Sequence, residues 1–125
     1  MRVLLIAAFL LSCSGGNYFE VRRANTDPRR DLAMCLGGLG WRIDKATNRF
    51  VETEWHRLRL PQGPLRVREV QIRLSANLAR GTIAGLCTQR TMRADGVDEV
   101  WHFRPCTDAR ALRMIDNATR ICGEQ

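Results

Sequence analysis

The sequence predicts an α+β fold: an antiparallel sheet of about five strands, with an N-terminal and a C-terminal helix packed on one face and two disulfides stapling the whole. Three observations carry this expectation. From Val70 to Ala76, apolar Val70, Ile72, Leu74 and Ala76 alternate with Gln71, Arg73 and Ser75, the pattern of a strand with one face on a core and the other in water. On either side the apolar spacing changes to three and four residues, at Leu32, Cys35, Leu36 and Leu39 and again at Leu112, Ile115, Ala118 and Cys122. Four cysteines, Cys35, Cys87, Cys106 and Cys122, are spread through the same region. With 125 residues, 45% of them hydrophobic, the chain has room for one domain with a modest core.

Each element has a local reason. Residues 13–26 are small and polar, include Gly15-Gly16 and show no apolar period, so they read as a flexible tether. Asp27-Pro28 suits a helix start, an N-cap followed by proline, and Gly37, Gly38 and Gly40 suit its end. Trp41 and Ile43 then alternate, residues 45–48 suit a turn, and Phe50 to Leu60 carry the β-formers Phe50, Val51, Thr53 and Trp55. Pro61 and Pro64 break that run before the strand at Val70. Thr82 to Met92 and Val97 to Arg104 supply two more strands around Asp95-Gly96, a hairpin-turn pair. Thr107 or Asp108 caps the last helix.

Four cysteines allow three pairings, which geometry ranks. Cys106 and Cys122 lie at opposite ends of the last helix, about 24 Å apart at ~1.5 Å per residue, too far for a disulfide. With a two-residue turn at Asp95-Gly96, Cys87 sits opposite Arg104 and diagonal to Cys106, within reach. Cys35 with Cys122 follows as the second bridge. The pairing of Cys35 with Cys106 and Cys87 with Cys122 stays open if the hairpin turns nearer Met92. Zinc is the competing use of cysteine, but the chain has no CxxC pair and only His56 and His102 as histidines, so no metal or other cofactor is expected.

The N-terminus decides the compartment. Arg2, the apolar run Val3 to Leu11 and the small residues after it form an export signal, too short for the ~20 apolar residues of a membrane span. Leu10-Leu11-Ser12-Cys13 resembles the lipobox of bacterial lipoproteins. The resemblance implies cleavage before Cys13, acyl chains on its thiol and amino group, and anchoring of the mature chain in the membrane. Ser14 in place of Asp resembles the pattern that lets such lipoproteins move to the outer membrane, facing the periplasm. The other readings of this stretch are a plainly cleaved secretory peptide or a buried strand with a core cysteine. The expected organisation is thus a signal peptide at 1–12, a tether at 13–26 and one α+β domain at 27–125. In an exported chain, the four remaining cysteines are expected to be oxidised.

Losing residues 1–12 removes one arginine, Arg2, and no acid, taking the net charge from +7 to +6; Lys45 is the single lysine. An arginine-rich exported surface suits anionic lipid headgroups or acidic envelope polymers, or simply solvation. Nucleic acid is not expected as a partner, because export separates the two. The stretch LGGLGWRIDKATNRFVETEW is similar to small helix-and-sheet units of accessory lipoproteins of the outer-membrane β-barrel assembly machinery, which implies a scaffold or interaction role.

Glu54-Trp55-His56 and Glu99-Val100-Trp101-His102 look like repeated acid–Trp–His pieces. On strands, however, core tryptophans would turn the histidines outward, and Ser75 has no nucleophile context. No catalytic residue is therefore expected. The function expected is a non-enzymatic interaction or envelope-maintenance role, with Gln71, Arg73 and Ser75 on the polar sheet face as the partner-binding residues. The alternative is a disulfide-locked inhibitor or ligand-binding module. A pocket lined by Trp41, Trp55 and Trp101 would favour a ligand, and a flat arginine-rich face or an unpaired edge would favour a partner.

Overall fold

The computed structural model describes residues 18–61, 66–93 and 101–124. Cys13, the expected signal peptide at 1–12 and the expected turn at Asp95-Gly96 lie outside the described residues, as do the side chains of Trp101 and His102. The elements are β1 (Phe19–Asn25), α1 (Leu32–Gly38), β2 (Ile43–Ala46), β3 (Phe50–Thr53), β4 (His56–Pro61), β5 (Arg66–Asn77), β6 (Thr82–Arg93), β7 (Trp101–Arg104) and α2 (Ala109–Cys122). All strand pairs are antiparallel, in the order β1-β6-β5-β3-β2, with β4 also on β5 and β7 also on β6.

Among the described residues the sheet has seven strands, not about five, for two physical reasons. The first is that Phe50 to Leu60 is two strands. Glu52 pairs with Ser75 whereas His56 pairs with Ile72, so four residues on one strand face three on β5. The extra residue is a bulge at Glu54-Trp55, and it reverses the inward and outward faces between β3 and β4. The second is that Phe19–Asn25, within the expected tether, is a strand. Residues 19–25 pair with β6 from Cys87 back to Thr82, and Val21 and Ala24 pack on the core. The end of β1 is tied down further by a bridge from Thr26 to Gly123 and by the Glu124 N–H donating to the Asn25 carbonyl at 2.8 Å.

The central hairpin of β5 and β6 pairs Arg66 with Arg93 through Asn77 with Thr82 without a slip. One face carries Val70, Ile72, Leu74 and Ala76 of β5 opposite Gln89, Cys87, Gly85 and Ile83 of β6, all buried. Helix α2 lies on this face with Ala111, Ile115, Ala118, Thr119 and Cys122 buried. Its stripe is turned slightly from the expected one, so Leu112 is only half-buried. Asp108 is the N-cap, its Oδ2 accepting the Ala111 N–H at 3.0 Å and its Oδ1 the Arg68 guanidinium at 3.2 Å, which ties the helix start to β5.

Helix α1 begins later than Asp27-Pro28 suggests. Asp27 instead folds a turn, accepting the Arg29 N–H on its carboxylate at 2.9 Å and the Arg30 N–H on its carbonyl at 3.1 Å. Asp31 is the actual cap, accepting the Met34 N–H at 3.1 Å, and Leu32 and Leu36 face the core. Cys35 is bonded to Cys122 and Cys87 to Cys106, each pair with Cα atoms 5.8 Å apart. The register differs from expectation by two residues: Gln89 faces Arg104, so Cys106 follows β7 directly across from Cys87 rather than diagonally. A shift of two preserves the face, which is why the pairing survives it. In the loop-entropy description the bridges contribute about 3 and about 4–5 kcal/mol for the shorter and longer loop.

Gly85 marks a close approach between the layers: a Cβ there would collide with Ile115 Cγ2. Gly85→Ala is expected to destabilise the protein by about 1–3 kcal/mol through overpacking. Adding Ile115→Val should recover part of that loss, and denaturant titration of the single and double variants checks it.

Candidate functional site

Two regions of the surface concentrate side-chain chemistry. The first is the sheet face opposite the helices, where β5 presents Glu69, Gln71, Arg73 and Ser75. Glu69 is 1% exposed and sits at the centre of a polar cluster. It accepts from Gln71 Nε2 at 2.8 Å, Arg90 Nε at 2.9 Å and Arg59 Nη2 at 3.1 Å. Burial alone would raise its pKa, but the hydrogen bonds from Gln71, Arg90 and Arg59 outweigh that and hold the carboxyl below its ordinary range.

Arg73, expected to be a free binding group, is 20% exposed and bound within the fold. Its Nε donates to the Thr53 carbonyl at 2.9 Å, Nη1 lies 3.5 Å from Glu52 and Nη2 3.8 Å from Asp44. The guanidinium also stands 4.8 Å from the centre of the Trp55 ring. Ser75 Oγ donates to Glu52 at 3.2 Å. The structure thus places Gln71, Arg73 and Ser75 on one face, as expected, with each of them engaged by a neighbouring acid.

The second region is a groove of about 340 Å³ lined by Leu39, Gly40, Trp41, Arg42, Glu54, Trp55, His56 and Met114. Its residues are placed by local rules. At the end of α1 the Gly40 N–H donates to the Gly37 carbonyl at 3.0 Å and the Trp41 N–H to the Leu36 carbonyl at 3.1 Å, a Schellman closure. It requires the positive φ of Gly40, +99°, and brings Trp41 down beside Leu36 in the core. The Glu54 N–H donates to the Arg42 carbonyl at 2.7 Å, and an exposed Arg42–Glu54 ion pair of 3.8 Å spans the rim.

The bulge explains what the strand pattern could not show. Continuous alternation would send Trp55 to the core with Val51 and Thr53. Instead Trp55 is half-buried between the groove and Arg73, and the exposed His56 ring stands 6.3 Å from Trp41. Tyr18 from the far edge lies 5.8 Å from Trp55, ring to ring. Sequence reading singled out Trp41, Trp55 and Trp101 as pocket walls, of which the Trp101 side chain lies outside the described residues, and missed Leu39, Gly40, Arg42, Glu54 and Met114. The GGLGW stretch was the available signal, since a glycine-closed helix followed by tryptophan fixes where that indole goes. Among the described residues no three His, Cys, Asp or Glu side chains gather as a metal site would require. No described helix is long and apolar enough to cross a membrane.

Two expected outcomes follow from the polar face. Because the folded pKa of Glu69 is depressed, its contribution to stability is present above the unfolded value of about 4.3 and is lost as pH falls through the folded value. Melting temperature should therefore drop on acidification below that range, and Glu69→Gln should flatten this part of the profile. Arg73→Glu should destabilise by about 1–3 kcal/mol, more than an ordinary surface change, because it removes three polar contacts and faces Glu52 and Asp44 with like charge. Urea titration measures this, and an unchanged midpoint would show the contacts to be energetically idle.

Comparison with known proteins finds no matching family model, no similar curated protein and no similar solved structure.

Proposed function

We propose that this is a lipid-anchored protein of the bacterial cell envelope, held through acylated Cys13 in the outer membrane facing the periplasm, with a non-enzymatic interaction role. Its contact site is the Trp41–Trp55–His56 groove. The groove itself is the observation that carries this reading, because it joins two indoles to a charged rim on a surface braced by disulfides. Its size falls within the ~300–1,000 Å³ typical of ligand clefts.

A partner polypeptide fits best, since β4 starts at the groove and pairs only with β5 among the described strands. Such an edge accepts an extended segment, while Leu39 and Trp41 on the groove wall take its apolar side chains. The likeness of the LGGLGW-to-TEW stretch to accessory lipoproteins of the β-barrel assembly machinery agrees with an interaction role by analogy. The second reading, a disulfide-locked module for a small ligand, is favoured by the enclosing of the groove between Trp41, Trp55 and Met114.

Mass spectrometry of the mature protein should find an acylated N-terminal Cys13. A photo-reactive residue at His56 should yield a specific adduct in native membranes, and one at the exposed Arg113 on α2 should not. An unmodified N-terminus elsewhere overturns the anchoring. The absence of any adduct specific to position 56 overturns the groove as the contact site.

A further inference from the structure

We propose that the sheet face opposite the helices docks on the anionic lipid surface of the membrane that holds the anchor, with Tyr18 and Trp55 at the point of contact. The inference rests on the anchoring of Cys13 and adds to it an orientation. Its first support is the length of chain outside the described residues and where that chain ends. Five Cα–Cα steps separate Cys13 from Tyr18, and at ~3.6 Å each they span at most about 18 Å. The Tyr18 ring lies 5.8 Å from Trp55, so the chain leaves the domain beside that indole and on that face. A tether this short keeps the Tyr18–Trp55 surface next to the bilayer and holds the helix layer, on the other side of the sheet, away from it.

The second support is the chemistry of the face. Both helices cover the opposite side, where Ile115 meets Gly85 and Cys35 is bonded to Cys122. On the side that no described helix covers, Tyr18 is 39% exposed and Phe103, across from Arg90, is 42% exposed. Trp55 stands between Tyr18 and Arg73. Tyrosine and tryptophan favour the headgroup level, where a ring can be half in hydrocarbon and half in water.

The charges complement an anionic leaflet. Arg57 is exposed opposite Gln71, and Arg59 is 63% exposed opposite Glu69. The acids of this face are turned to arginines of the fold: Glu69 is buried, Glu52 and the half-exposed Asp44 lie against Arg73, and Glu20 is bonded to Arg23, while Arg57 and Arg59 stand exposed beside them. Basic side chains therefore dominate what a bilayer would meet, and each is worth about 1 kcal/mol near an anionic surface.

The test uses the full acylated protein reconstituted in vesicles whose lipids are brominated near the glycerol end of the acyl chains. One set of vesicles is rich in phosphatidylglycerol and the other is phosphatidylcholine alone. Flotation reports the anchor, and the difference in tryptophan emission between wild type and Trp55→Phe reports the face. The expected result is flotation in both sets, with Trp55 emission quenched on the anionic vesicles and largely retained on the neutral ones. Arg57→Glu, a surface change that leaves the fold intact, should weaken docking by about five- to thirtyfold at the stated worth of a basic side chain and lower the quenching accordingly. Protein that fails to float overturns the anchoring, and the orientation with it. Protein that floats with Trp55 unquenched overturns the orientation alone and leaves the face to a protein or polymer. Equal quenching on both vesicle types overturns the assignment of anionic lipid.

Discussion

The β5–β6 ladder is the constraint on which the rest of the structure depends. Its twelve register pairs run without a slip, and every other strand except β2 pairs directly with one of its two members. The ladder needs alternation to be stable: Val70, Ile72, Leu74 and Ala76 must all leave water on one side, and α2 is the element that removes them from it. Gly85 lets Ile115 descend onto the sheet, and the Arg68–Asp108 pair fixes where the helix begins. On the opposite face, which no described helix covers, the buried Glu69 is kept ionised by arginines arriving from β4 and β6 on either side. Apolar packing on one face and charge pairing on the other thus act on the same two strands.

The groove is secured by more distant means. A seven-residue helix such as α1 is too short to hold its shape alone, where about 12–15 residues are marginal. It is held by Leu32 and Leu36 in the core and by Cys35, which ties it to the last residue of α2. From that fixed helix the glycine closure delivers Trp41, while the bulge between β3 and β4 delivers Trp55 and His56 from the other side. Residues that are far apart along the chain thereby form one wall. The same bulge leaves Trp55 accessible to Tyr18, so the exit of the N-terminal segment and the groove share an indole.

Much of this was legible because it is written in short-range periodicity. The alternation at Val70–Ala76 identified the core strand, the spacing of Ile115, Ala118 and Cys122 identified the buried side of α2, and the even cysteine set with the reach of each element ranked the pairing that the structure contains. Other parts were hidden for definite reasons. Phe19–Asn25 has weak strand character, and its pairing depends on the β6 edge, a partner some sixty residues away. Arg73 looked like a solvated arginine because nothing local shows that Thr53, Glu52, Asp44 and Trp55 converge on it.

The sequence by itself determined an α+β composition, one stable sheet face, two helices with the cap of the second at Asp108, and a crosslink pattern, since each follows from the period and chemistry of neighbouring residues. Only the tertiary structure decided register. One additional residue at Glu54-Trp55 reverses the faces of a strand whose residues look continuous, moving an indole from the expected core to the surface and producing the groove. Such a bulge is set by how well β3 and β4 each pair with β5 and bury Val51, Thr53 and Leu58. That free energy belongs to contacts distant along the chain, and the local pattern does not contain it.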